Sequence, residues 1–203
     1  MNPERKTSMK NFNARKFTVT AIMGAVASVL MHLSFSTPVI PAFIKLDFSE
    51  LPALIAAFAM GPLCGVSVCL IKNLISLITT STAGVGELSN FLLGVTFVLP
   101  AGLIYKKMKN LKGAVIASLI GAVVMGILSI PINYFITYPA YIFFYRMPLE
   151  GIMAMYQAIN PKTETLLQAL VWFNAPFTCF KGLCDVVLTF LIYKRISPII
   201  KGK

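Results

Sequence analysis

The sequence predicts an all-α integral membrane protein, a bundle of six transmembrane helices with both the N- and C-termini cytoplasmic. Three observations predict it. Of the 203 residues, 57% are hydrophobic and only 12% charged, against roughly 25% charged in a soluble domain. The apolar residues come in long runs, and about 20 apolar residues suffice to cross a bilayer as a helix. The basic residues, which give a net charge of +11, gather between and beside those runs.

The first run, about Phe17 to Phe35, follows a basic segment, residues 1–16. A signal peptide shows the same order of charge and hydrophobicity. No small-residue cleavage site follows at Phe35–Pro41, so the run reads as a retained span. Ser36 to Phe48 carries two prolines, Lys45 and Asp47. A short run, Leu51 to Met60, is broken by Gly61-Pro62, and a third extends from Leu63 to Thr80. Ser81–Gly86, rich in Gly, Ser and Thr, reads as a loop. The fourth run covers Glu87 to Tyr105, with Pro100 as a kink. The fifth extends from Gly113 to Tyr145, too long for one span, so its end past Pro131 or Pro139 is expected to bend into an external segment. The polar stretch Arg146–Glu164 separates it from the sixth run, Thr165 to Tyr193. The membrane domain is thus 17–195, and residues 196–203 form a tail.

Orientation follows from charge. Six spans put the N-terminus, the Gly61-Pro62 turn, the Lys106–Lys112 loop and the C-terminus on one side, with 13 of the 18 basic residues. The other side holds Lys45, Arg146 and Lys162, while Lys72 and Lys181 lie within spans. Basic loops face the cytoplasm. The same segregation argues against reading the positive charge as a nucleic-acid surface. Cys64, Cys69, Cys179 and Cys184 lie inside apolar runs without a CxxC pair, and His32 is the single histidine. No disulfide framework or metal site is expected from those spacings, and the cysteines read as small apolar residues.

Polar groups inside spans are costly, so each is a candidate site residue. In the sixth run Asn174, Thr178, Lys181 and Asp185 fall at i, i+4, i+7 and i+11. At about 100° per residue they share roughly a 60° arc of one helix face. Four in register, with both signs of charge, point to a polar cavity in the bundle rather than to helix–helix glue. Lys181 and Asp185 are expected to pair with each other. The fourth run carries Glu87, Asn90 and Gly94 along one face. Glu87 reads equally as a site residue or as a carboxylate complementing the helix start; Asn90, one turn deeper, reads as a ligand contact. Asn133 lies beside Pro131, and Tyr134, Tyr138, Tyr141 and Tyr145 repeat along the same run. Most of these tyrosines read as an aromatic belt at the outer interface, with Tyr134 in reach of a bound aromatic molecule. Lys72, midway along the third run, must find a carboxylate, a carbonyl or water. Ala21 with Ala25, Gly24 with Ser28, and Gly113, Ala117 and Gly121 form small-residue seams, whose default reading is internal packing.

Absent from the sequence are a GxxxxGK[ST] phosphate loop, HExxH, GxSxG and a plausible Cys–His pair. That disfavours an intramembrane enzyme built on Glu87 or on Lys181 with Asp185. Accumulating a solute would need an outside energy source or coupling ions.

Four stretches together resemble a known family: Phe43–Gly65 (FIKLDFSELPALIAAFAMGPLCG), Lys72–Ser76 (KNLIS), Gly84–Leu92 (GVGELSNFL) and Asn174–Gly182 (NAPFTCFKG). They are similar to the vitamin-capturing S components of energy-coupling factor (ECF) transporters, and to the riboflavin-specific branch in particular. The resemblance covers nearly the whole chain from Arg15 on. It implies a six-helix protein of the prokaryotic plasma membrane that binds riboflavin from outside, needs no cofactor and is not an enzyme. Thr37 to Asp47 would be a lid. The family's ligand-contacting positions map onto Ala42, Phe43, Lys45, Leu46 and Asp47 in that lid, and onto Glu87, Asn90, Asn133, Asn174 and Lys181. The Ala21-xxx-Ala25 motif matches the surface such proteins press against a transmembrane coupling subunit, and two cytoplasmic ATPases would supply the energy. The chemistry is consistent: an Asn amide both donates and accepts, as the edge of the flavin ring requires. Asn133, Asn174 and Lys181 are assigned to that edge, and Asn90, Glu87 and the lid to the ring flank and ribityl chain, though the two ends can be exchanged. An S component for another vitamin and an ion-coupled small-solute carrier are the alternatives.

Overall fold

Apolar runs of this length leave the backbone little but itself to hydrogen-bond, and helix is the outcome. The computed structural model describes residues 3–201, with side chains over 14–192. Arg5, Lys6, Lys10, Lys194, Arg195, Lys201 and Lys203, which carry much of the charge count at the termini, lie outside the described side chains. In chain order the elements begin with α1 (Pro3–His32), the antiparallel strands β1 (Phe35–Ser36) and β2 (Lys45–Leu46), α2 (Glu50–Met60), α3 (Pro62–Ser76) and α4 (Val85–Lys107). They continue with α5 (Leu111–Ile132), α6 (Tyr138–Phe143), α7 (Leu149–Ile159), α8 (Leu166–Ala169) and α9 (Ala175–Lys201). Among the described residues five helical stretches are long and apolar enough to cross a membrane: Ala14–His32, Pro62–Thr79, Val85–Lys107, Leu111–Phe143 and Leu166–Ile192.

The exception is α2, whose 11 residues rise only about 16 Å, roughly half a hydrocarbon core. Every residue from Glu50 to Phe58 is buried, because α1, α3, α4 and α9 all pack against it. An apolar helix wrapped by neighbours needs no amphipathic stripe. It ends at Gly61, whose φ of 114° suits glycine, and Pro62 then opens α3 at a position where a missing N–H costs nothing.

The two seams of α1 divide. A Cβ on Gly24 would lie 2.5 Å from Ile71 Cγ2 of α3, so Gly24 and buried Ser28 form the internal contact. Ala21 and Ala25 face outward and are exposed.

Two expectations are corrected. The fifth run does not bend away after Pro131 but stays helical through Phe143, 33 residues in all. A wide π turn, Asn133–Thr137, follows Pro131 and joins α5 to α6. Such a turn lets the helix re-pair the groups a proline disturbs. The stretch Arg146–Glu164, set aside as polar, contains α7, which buries Ile152 and Tyr156 completely. Their i, i+4 spacing puts both on one face of the helix.

Candidate functional site

The lid-side end of the bundle encloses a cavity of about 120 Å³ that adjoins a wider one of about 500 Å³. Phe43, Lys45, Gly86, Asn90 and Tyr141 line both. The segment expected to act as a lid, Thr37 to Asp47 (called the lid for its position), closes a hairpin: Phe35 pairs with Leu46 and Ser36 with Lys45, and Phe35 packs on Phe48 at 6.3 Å between ring centres.

The apolar walls of the inner cavity come from Phe43, Ile44, Leu93, Met125 and Phe177, with Tyr138 and Tyr141 from α6. Phe43 meets the Tyr141 ring at 5.6 Å and the Tyr138 ring edge-on at 6.3 Å. A concave, largely apolar space with a few convergent polar groups is what a small-molecule site requires.

Those polar groups form three sets. The first is ionic. Lys181 of α9 donates to Asp47 Oδ2 at 2.9 Å and lies 3.7 Å from Glu50 Oε2. Lys72 of α3 sits 2.9 Å from Glu50 Oε1 and donates to Ser49 Oγ at 2.5 Å. The Ser49 amide donates to Asp47 Oδ1 at 2.9 Å. Lid, α2, α3 and α9 are thereby tied through one buried network with two cations and two carboxylates. Burial alone would raise the Asp47 pKa; the neighbouring Lys181 and Lys72, with the Ser49 hydroxyl, outweigh it and hold the carboxyl at about 2.

The second set is neutral. Tyr156 of α7 donates to Asn174 Oδ1 at 2.5 Å. Asn174 Nδ2 donates to the Tyr138 hydroxyl at 3.1 Å, and the two tyrosine hydroxyls bond to each other. All three side chains are buried. Burial pushes the Tyr156 hydroxyl well above its ordinary pKa, which keeps it a donor. The third set lies along α4. Asn90 Oδ1 accepts from Asn73 at 3.3 Å, Ser89 donates to Asn133 Oδ1 at 3.5 Å, and Glu87 accepts from Thr80 at 2.9 Å and Thr82 at 3.3 Å.

Of the residues expected from the sequence, the structure brings Phe43, Lys45, Asn90, Asn133, Asn174 and Lys181 to the inner cavity. Ala42, Asp47 and Glu87 line the outer one. Leu46 is buried in the lid without lining either cavity. Tyr134 lines neither; it faces outward, 41% exposed, against Phe135. One residue on from buried Asn133, it falls on a different face of the turn. The aromatic-belt reading is corrected for Tyr138 and Tyr141, which are buried and point inward.

The expected Lys181–Asp185 pair is also corrected. Lys181 reaches up to Asp47 and Glu50 instead, and neither buried Asp185 oxygen has a hydrogen-bond partner. Sequence reasoning overlooked Glu50 and Tyr156. The demand of Lys72 for a carboxylate was the signal for Glu50, and the Ile152/Tyr156 spacing was the signal for α7.

Comparison with known proteins decides the family. Residues 15–193 match the family described as ECF transporter, substrate-specific component. The chain belongs to that family. It is 35% identical to the riboflavin transporter FmnP of Bacillus subtilis (strain 168) over 187 residues, 91% of this chain and 93% of the relative. It is 32% identical to the riboflavin transporter RibU of Staphylococcus aureus (strain TCH60), over 99% of each chain. A solved structure described as "Structure and mechanism of the S component of a bacterial ECF transporter" superposes with a TM-score of 0.73 at 29% identity. The match covers 93% of this chain and 99% of the other. Relatives of this S component are thus transport proteins, and its fold is theirs.

Proposed function

We propose that this S component captures riboflavin at its lid-side cavity and delivers it into the cell as the substrate-specific subunit of an ATP-driven ECF transporter. The observation that carries the reading is the inner cavity: aromatic walls from Phe43, Tyr138 and Tyr141, with Asn90, Asn133, Asn174 and Lys181 converging between them. Those groups suit a flat ring with alternating donors and acceptors on one edge. The outer cavity, bounded by Glu87, Asp47 and Ala42, suits the hydroxylated ribityl chain.

The lid side is extracellular, α2 counts as a short sixth span, and both termini are cytoplasmic in a multi-pass plasma-membrane protein. The exposed Ala21/Ala25 face is the docking surface for a membrane coupling subunit, to which two ATPases attach. Labelled riboflavin uptake into proteoliposomes tests the reading. Uptake is expected only with the coupling subunit, the ATPases and ATP all present. Uptake by this chain alone under an ion gradient would instead establish an ion-coupled carrier.

A further inference from the structure

A third cavity opens at the opposite end of the bundle, with a volume of about 620 Å³. It lies around the α2–α3 turn, Gly61-Pro62, with α4 on one side and the start of the described part of α1 on the other. Its walls are apolar: Phe58 and Tyr105 pack with tilted rings at 4.5 Å between ring centres, and Met60 and Leu63 complete them. Its rim holds Lys106, at the end of α4, and Lys109, just beyond it, with Lys16 of α1 nearby, and among the described residues no carboxylate lines it. Of the described acidic residues, Asp47, Glu50 and Glu87 belong to the opposite end and its cavities. Glu150 and Glu164 lie in the α6–α8 region, and Asp185 is enclosed within the bundle. The carbonyl end of α2 and the amide end of α3 meet at Gly61 and offset each other, so among the described residues Lys106 and Lys109 set the sign of the potential at this rim.

Such a cavity, apolar within and cationic at the rim, matches the chemistry of a lipid at the junction of its acyl chain and phosphate. Basic pockets between membrane helices hold anionic headgroups. We propose that this cavity is a binding site for an anionic phospholipid of the leaflet facing the Lys106–Lys112 loop. The phosphate sits between Lys106 and Lys109, and the first carbons of an acyl chain lie against Met60 and Leu63. Leu63 is 76% exposed, an apolar surface that a chain would cover.

The position of the charges supplies the test. Lys107 and Lys112 belong to the same loop and are exposed, but neither lines the cavity. Delipidated full-length protein is titrated with phosphatidylglycerol, with phosphatidylcholine and with inorganic phosphate, and bound lipid is counted by native mass spectrometry. Phosphatidylglycerol is expected to bind in preference to the other two. The double variant K106Q/K109Q is expected to lose about tenfold or more in that affinity. K107Q/K112Q removes the same net charge and is expected to stay within about twofold of wild type, since neither side chain lines the cavity and so neither contacts the phosphate directly. Equal losses in both variants overturn the site, as does equal binding of the two lipids. Phosphate binding as tightly as phosphatidylglycerol overturns the lipid and leaves a free-anion site. Flavin binding measured on the same variants keeps a folding failure distinguishable, because these lysines lie at the end remote from the lid. If loss of acidic-lipid binding appears only together with loss of coupling-subunit assembly, the cavity is a protein interface and the proposal fails.

Discussion

Two buried polar clusters fasten the lid-side cavity, and they work by different physics. Around Lys181, the ionic cluster joins Asp47, Glu50 and Lys72 and ties the lid to three helices. Around Asn174, the neutral cluster joins Tyr138 and Tyr156 and ties α7 to the last helix. Charges in a low-dielectric interior are expensive unless paired, so losing one member of the first cluster strands its partner. A neutral hydrogen bond lost from the second costs the unmet group alone. The first cluster therefore bears mainly on stability and the second mainly on how a ligand-facing amide is oriented.

The largest effect is expected from Lys72→Ala, which leaves Glu50 and Ser49 without their cation. Thermal unfolding in detergent should show a loss of about 3–5 kcal/mol; a variant as stable as wild type would mean the cluster contributes little. Next come Asn174→Ala and Lys181→Ala, each expected to weaken flavin binding by about 1–3 kcal/mol. Wild-type affinity in both removes the last span, the π turn Leu170–Asn174 with α9, from the site. Tyr156→Phe takes away one donor to Asn174 without changing volume, so a smaller affinity loss of about 1 kcal/mol is expected, with the melting temperature little changed. A pH series separates the clusters in another way. With its pKa depressed from 3.8 to about 2, Asp47 adds stability that is complete above 3.8 and is lost as pH falls through 2. Hydrogen exchange of the lid amides should be flat from neutral pH to about pH 5, once intrinsic exchange is corrected for, and quicken below about 4. Asp47→Asn should abolish that dependence and leave the neutral cluster untouched. The smallest effect is expected of Tyr134→Phe, within about 0.5 kcal/mol, since its ring faces outward.

Much of the architecture was legible because it rests on one-dimensional signals. Runs of apolar residues gave the spans, and the i, i+4, i+7 spacing gave the cavity face of α9. Where partners came from remote segments, the sequence was silent. Lys181 has Asp185 one turn away, but a residue 134 positions distant in the chain, Asp47, takes its proton donors, because the lid folds back over α9. The end past Pro131 or Pro139 was read as bending away, whereas the chain stays helical from α5 through the π turn into α6. That turn leaves Asn133, Tyr138 and Tyr141 on the cavity side and Tyr134 outside. Glycine spacing marked two seams on α1, and only packing against Ile71 showed which of them is internal.

The most direct test of the account is a fluorescence titration of the purified S component with riboflavin, and with thiamin and biotin as competitors. The protein is expected to quench flavin fluorescence stoichiometrically, neither competitor to restore it, and Asn174→Ala to blunt the quenching. Unchanged flavin fluorescence at saturating protein, or displacement by thiamin or biotin, would contradict it.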